Sequence, residues 1–329
     1  MAKKHNVKVC KSKFTIIGNV VGTSSDRFFQ SKTFDSGSTK NAVTFGLESS
    51  PKNVNYVVVD GFDGKEAWFS KWDSKTKIND IKKVSWDDRF NFDEDGYNPF
   101  FGTRIGLELD EKGKPQISTL FGYDAAQELS EVLYDGMPLY TDGQISYTSY
   151  IKEGEVKRYK NLVPQKVYIQ KGELDFESDK FKEENRFEQD LVWMGIEQEK
   201  DDKNKPTGRF IVYAKIVTRE SVEDTQFIIE DKGLAGKLKS NMKEYYGISV
   251  MGRLVTRVES EADTDAWGDD EDLHGDGVKF REMIITKAYP ASIDKESYSE
   301  EILASVKQAD DDFGDSVSND DDDDEEVWE

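Results

Sequence analysis

Cysteine is almost missing from this chain of 329 residues. Cys10 stands alone, which excludes an intramolecular disulfide framework and leaves it most simply a free thiol. Histidine is nearly as scarce, and His5 and His274 cannot complete a zinc-type cluster with a single cysteine. No apolar stretch approaches the roughly 20 residues needed to span a bilayer, and the mean hydropathy is −0.73. Residues 1–13 are basic without an apolar stretch, so they do not read as a secretion signal. These absences point to a cytoplasmic protein with no membrane partner. A phosphate-binding glycine loop is also missing, which removes ATP-driven helicase or recombinase activity. Residues 247–251 (GISVM) miss the glycine of a nucleophile elbow, and no histidine sits in a plausible partner element, which argues against serine catalysis. No enzyme and no cofactor are expected.

What is abundant is negative charge, and it is concentrated. The chain carries 67 acidic and 45 basic residues for a net charge of −22. Residues 310–329 hold 12 carboxylates and no cation, so the other 309 residues carry only −10. Such a block cannot bury enough apolar surface to offset its ordering entropy, and a disordered tail is expected there, with Val327 and Trp328 as an apolar tip. It reads either as a solubility tail or as a tether. In the second case Asp322, Asp323, Asp324, Glu325, Glu326, Val327 and Trp328 would meet partner proteins. Residues 263–274 imitate a calcium loop, but Trp267 and His274 occupy ligand positions, so no metal site is expected.

Period-two alternation dominates the rest. In the second half, residues 167–176, 190–197 and 209–217 read as strands, 233–245 as a helix with Leu234, Leu238, Met242 and Tyr245 on one face and a stop at Gly247, and 248–258 and 279–288 as two more strands. That order is that of a five-stranded Greek-key OB barrel. The first half repeats it with strands at 14–22, 42–48 and 55–60, a helix at 124–134 stopped at Gly136, and strands at 139–151 and 156–163. The opening patterns FTIIG (14–18) and VYIQKG (167–172) are a loose sign of duplication. The expected fold is mainly β: two OB-like five-stranded Greek-key barrels, each with a helix between strands 3 and 4, plus the disordered acidic tail. The expected organisation is a basic arm (1–13), a first OB-like domain (14–164) with an insertion at about 65–121, a second (165–290), a linker (291–309) and the tail (310–329).

Alternation sends Phe210, Val212, Ala214 and Ile216 to the core and Arg209, Tyr213 and Lys215 outward. On the preceding strand, Val192, Met194 and Ile196 fit the core and leave Trp193 outside. Arg253 and Arg257 share the outward face of the fourth strand, and Lys279 and Arg281 that of the fifth. Flat rings beside cations are what stacking on nucleobases and neutralising phosphates require. Two further segments interleave cations and rings: residues 71–83, with Lys71 and Trp72, and residues 152–171, with Lys157, Arg158 and Tyr159. Ordinary cross-strand packing and a solvated charged face explain any one of these residues equally well.

Residues 227–257 (FIIEDKGLAGKLKSNMKEYYGISVMGRLVTR) resemble the middle of bacterial-type single-stranded DNA-binding proteins. Leu234, Ala235, Leu238, Tyr245, Gly247, Val250, Gly252, Arg253 and Leu254 fill that family's apolar and glycine positions, and the acidic C-terminal tail is a second shared feature. The resemblance implies non-catalytic coating of single-stranded DNA in replication, recombination or repair, with the tail recruiting replication or recombination proteins. The chain departs from the family in length, with two barrels where one is usual, and ends Val327-Trp328-Glu329 rather than in proline and phenylalanine. It looks like a phage or mobile-element version, which would act in the host cytoplasm, and homo-oligomerisation stays open. The alternatives are an acidic interaction module or DNA mimic, and an RNA-binding OB protein. Removal of residues 310–329 is expected to preserve or tighten DNA binding and abolish partner recruitment, read by gel shift and pull-down. A DNA mimic would bind no DNA with or without them.

Overall fold

Strict alternation in residues 12–21 buries Phe14, Ile16, Gly18 and Val20 and turns Thr15, Ile17 and Asn19 toward the other face. The same rule builds most of the chain. The computed structural model describes residues 5–51, 53–152, 155–259 and 278–311. Its elements are β1 (Ser12–Val21), β2 (Phe29–Thr33), β3 (Thr39–Ser50), β4 (Asn53–Phe62), β5 (Glu66–Asp73), β6 (Ile78–Ser85), β7 (Asn98–Pro99), β8 (Thr103–Gly106), β9 (Ser118–Leu120), α1 (Gly122–Val132), β10 (Pro138–Lys152) and β11 (Glu155–Ile169). There follow β12 (Asn185–Lys200), β13 (Pro206–Val217), β14 (Val222–Ile229), α2 (Lys232–Asn241), β15 (Gly247–Glu259), β16 (Val278–Asp294) and α3 (Glu300–Asp311).

The protein is mainly β, and two closed barrels account for most of it. In the first, β1 pairs with β3, β3 with β4, β4 in parallel with β11 (Val57 beside Leu162), β11 with β10, and β10 with β1. The second repeats the circuit through β12, β13, β14, β16 and β15, with Ile228 beside Ile284 at the parallel closure. Each helix lies between the third and fourth strands, which is the OB order. Ala125, Ala126 and Leu129 of α1, and Ala235 and Leu238 of α2, are buried. The Asp231 side chain caps α2 by accepting from the Leu234 N–H at 2.6 Å.

The repeat differs from the one expected. Residues 167–169 end β11, and the counterpart of β1 is β12, which begins at Asn185. Phe14 faces Gly143 on β10, and Phe187 faces Gly252 on β15. A Cβ at Gly143 would lie 2.1 Å from the Val163 carbonyl oxygen, and one at Gly252 1.9 Å from that of Ile284. The register shifts beside each glycine, so matching bulges bend the fourth strands around matching phenylalanines. The second helix also ends earlier than expected, at Asn241. The chain leaves it to donate the Tyr245 N–H to Trp193 O (2.9 Å) and accept Trp193 N–H on Tyr246 O (2.8 Å).

The barrels join through their first strands. β1 and β12 pair antiparallel from Ser12 opposite Gln189 to Ile16 opposite Asn185, with Phe14 opposite Phe187 at the centre. Each fourth strand also reaches across to the other barrel. Thr256 donates its N–H to Asn53 Oδ1 (3.0 Å) and its hydroxyl to Val54 O (2.6 Å), while Tyr147 donates its hydroxyl to Gln189 Oε1 (3.0 Å). Glu183 accepts from Ser49, Asn53 and Ser50 at 2.6, 2.9 and 3.0 Å. Burial alone would raise its pKa, but these hydrogen bonds outweigh that and hold it below the ordinary carboxylate value.

The inserted segment forms a small sheet of β6, β5 and β7, packed on α1 by Phe69, Phe92, Phe121 and Trp86. Arg89 locks it with a two-point contact to Asp124, Nε to Oδ2 and Nη2 to Oδ1, both 2.9 Å. Residues 291–309, expected as a linker, instead hold the end of β16 and most of α3, where Leu303 and Val306 are buried. The basic arm is tied down beside them: Lys8 pairs with Asp294 at 2.7 Å, and the Cys10 N–H reaches Val217 O at 2.8 Å. Burial pushes the Cys10 thiol up to about 11, so it is an inert core residue. Of the tail expected at residues 310–329, Asp310 and Asp311 end α3, and residues 312–329 lie outside the described residues.

Gly143→Ala and Gly252→Ala are each expected to destabilise the fold by about 3 kcal/mol or more, because the new methyl meets backbone on the facing strand. Chemical denaturation of the two variants checks this, and a small loss at either site would contradict the shared bulge.

Candidate nucleic-acid interface

In an OB barrel the outer face of strands 2 and 3, with the loops beside it, is where oligonucleotides bind. In the second barrel that face belongs to β13 and β14. Val212, Ala214 and Ile216 are buried, and Arg209, Tyr213 and Lys215 turn to the opposite side together. Each of the three already has an anionic partner. Arg209 contacts Glu282 at 2.6 Å and Glu199 at 3.5 Å. Tyr213 donates its hydroxyl to Glu197, which holds the phenol above its ordinary pKa. Lys215 pairs with Asp224, and Asp224 also receives Arg158 of β11 at 3.3 Å. Two cations from different barrels thus meet on one carboxylate. Arg253 is exposed and pairs with Glu230 at 2.7 Å.

Trp193 is not on this face. It is only 4% exposed and packs in the core with Phe187 and Leu191. The reason is a bulge: the register with β13 shifts between Trp193 and Gly195, so the face read from Ile196 does not carry back to Trp193. Arg281 also departs from the expected surface, lying 5.6 Å from the Tyr56 ring of β4, against the first barrel. Lys71 donates to Asp95 O at 2.8 Å and lies 5.7 Å from the Tyr97 ring, while Trp72 is 60% exposed, both on the inserted hairpin. Lys157 and Tyr159 flank Arg158 on β11. The side chains of Arg257 and Lys279 lie outside the described residues, as do Asp322, Asp323, Asp324, Glu325, Glu326, Val327, Trp328 and the loop holding Trp267.

The corresponding face of the first barrel carries residues the sequence reading missed. β2 lies beside β3, so that Lys32, Lys40 and Phe62 are partners in a row across β2, β3 and β4. Phe34 sits 5.7 Å from Phe62, which is 53% exposed. Lys32 lies 5.3 Å from the Phe34 ring, and Lys40 5.7 Å from the Phe62 ring and 2.9 Å from Asp60. The available signal was the Asp35-Ser36-Gly37 turn, where Gly37 takes φ +81° and closes the β2–β3 hairpin. Among the described residues no cluster of metal-ligating side chains occurs.

A family model described as YorF matches residues 71–320. No curated protein matches the chain in sequence. Among solved structures the chain is similar to a deletion mutant of the single-stranded DNA binding protein from Thermus aquaticus (11% identity, TM-score 0.41, 89% of this chain and 98% of that one). It is also similar to the wild-type Thermus aquaticus protein (10%, 0.40, 86% and 93%). A Replication Protein A heterotrimer bound to ssDNA matches at 9% and 0.20, over 92% and 96%.

Trp193→Ala is expected to act on stability, at about 3–5 kcal/mol for a large buried aromatic. Denaturation midpoints check it, and a variant as stable as the parent would contradict the burial.

Proposed function

The chain belongs to the YorF family, and we propose that it binds single-stranded DNA with little sequence preference, without catalysis, in replication, recombination or repair. The observation that carries this reading is that both barrels turn a strand 2–3 face outward with cations beside rings: Arg209, Tyr213 and Lys215 on one, Lys32, Lys40, Phe34 and Phe62 on the other. Rings give sequence-tolerant stacking, and cations give counterion release at the phosphates. Arg158 is the first barrel's contribution to the second face, since it shares Asp224 with Lys215. Lys71 and Trp72 extend the surface onto the inserted hairpin, and Arg253 extends it along β15.

The carboxylates matter to the mechanism. A phosphate entering the second face replaces Glu282, Asp224 or Glu230 at a cation that is already satisfied. The gain per contact is therefore smaller than for a bare cation, and binding is tuned down rather than abolished. The acidic tail would extend the same logic in trans, recruiting partner proteins through Val327 and Trp328.

Gel-shift competition among oligo-dT, oligo-rU and duplex DNA tests the reading, with dT expected to win and affinity to fall steeply with salt. Asp224→Asn is expected to tighten dT binding and steepen the salt dependence by about 0.7 in log–log slope per phosphate newly contacted. Binding that ignores salt, or a duplex that outcompetes dT, would contradict it.

A further inference from the structure

We propose that Phe34 and Phe62, with Lys32 and Lys40, form the primary stacking site for single-stranded DNA, and that the second barrel's face is a weaker site entered by displacing carboxylates. This rests on the single-strand reading above and adds an order of engagement to it. The four residues precede the segment matched by the family model, and their role is read from geometry alone.

The first argument is the contrast in charge between two faces built on one plan. On the second barrel, Arg209, Tyr213, Lys215 and Arg253 each contact a carboxylate. On the first, Asp60 pairs with Lys40, while Lys32 makes no ion pair among the described residues and lies against a ring. A phosphate at Lys32 displaces nothing. The second argument is exposure. Folding favours burying a phenylalanine, yet Phe62 is 53% exposed beside a second ring and two ammonium groups. Packing of one ring on the other across the sheet accounts for the Phe34–Phe62 contact. It does not account for lysines on two adjacent strands in the same row as Phe62.

The third argument is access. Ala42 and Thr44 are the neighbouring outward residues of β3, small enough to leave a shallow floor beside the rings. Only residues 63–65 separate Phe62 from β5, whose Trp68 lies under Lys83 at 4.0 Å and whose Trp72 is 60% exposed. Rings and lysines therefore continue from the barrel onto the inserted hairpin, and a base stacked at Phe62 has further stacking partners along the chain. The occupant this surface fits is a flexible polyanion with exposed flat bases. A duplex keeps its bases stacked on each other and offers only phosphates.

The test is equilibrium binding of the full chain to fluorescent oligo-dT, with thermal midpoints measured alongside. Phe62→Ala is expected to weaken binding about tenfold or more, as loss of a stacked base does, and Phe62→Tyr to retain it. Lys32→Glu should weaken binding and flatten its salt dependence, and it should cost more affinity than Lys215→Glu. Wild-type affinity in Phe62→Ala, equal losses in Phe62→Tyr and Phe62→Ala, or a greater loss from Lys215→Glu than from Lys32→Glu would each overturn the primary site. Those results leave single-strand binding standing, whereas a wild-type chain that binds no oligo-dT removes both. Losses seen only with oligo-rU would overturn DNA as the occupant.

Discussion

The antiparallel pairing of β1 with β12 is the contact on which the rest of the architecture depends. It makes one continuous sheet out of two barrels, and the paired strands are the ones that seat Phe14 and Phe187. Each phenylalanine lies against a glycine that no other residue could replace without a backbone clash, so barrel closure and barrel pairing share the same few residues. The fourth strands then reach across the join, Tyr147 to Gln189 in one direction and Thr256 to Val54 in the other. These groups are buried, and buried polar groups left without partners are costly, so each barrel satisfies the other. Separation would expose the two phenylalanine strands and strand these donors at once.

A rigid pair of this kind fixes the relation between the two strand 2–3 faces. The body is acidic even without its tail, and cations survive on these faces by two different means. In the second barrel they are held by carboxylates, Arg209 by two and Lys215 by one that it shares with Arg158. In the first they lie over phenylalanine rings, and at Lys32 the attraction of an ammonium for a π face stands in for an anion, while Lys40 also pairs with Asp60. The consequence is that one face offers stacking and bare charge, while the other offers charge only after exchange. An acidic protein that binds a polyanion needs such local arrangements, since its overall field works against approach.

Much of the fold was legible in the sequence because alternation and glycine stops are local signals. The burial of Val212, Ala214 and Ile216 and the shared outward direction of Arg209, Tyr213 and Lys215 follow from period two, whereas the strand order of the second half is shifted by one from the reading: 209–217 is its second strand, and β14 supplies the third. Bulges are where the reading fails. An extra residue at Met194 breaks the parity of β12 and takes Trp193 inside, and Gly195 beside it is the local mark of that bulge. The partner of a cation is equally hidden when it comes from far along the chain, as Glu282 does for Arg209 across 73 positions. Lys215 and Asp224 lie only 9 apart and face each other across a hairpin, so that neutralisation could have been inferred. Short polar strands such as β2 carry too few apolar residues to signal themselves, so Phe34, one residue beyond β2, has no local alternation to mark it in the sequence.

Amide hydrogen exchange of the full chain, with and without saturating oligo-dT, tests the central claim most directly. The account predicts slowed exchange concentrated in peptides covering residues 29–62 and 206–229, stronger in the first, with β1 and β12 unchanged. Protection confined to the β1–β12 join, or no change anywhere on adding oligo-dT, would contradict it.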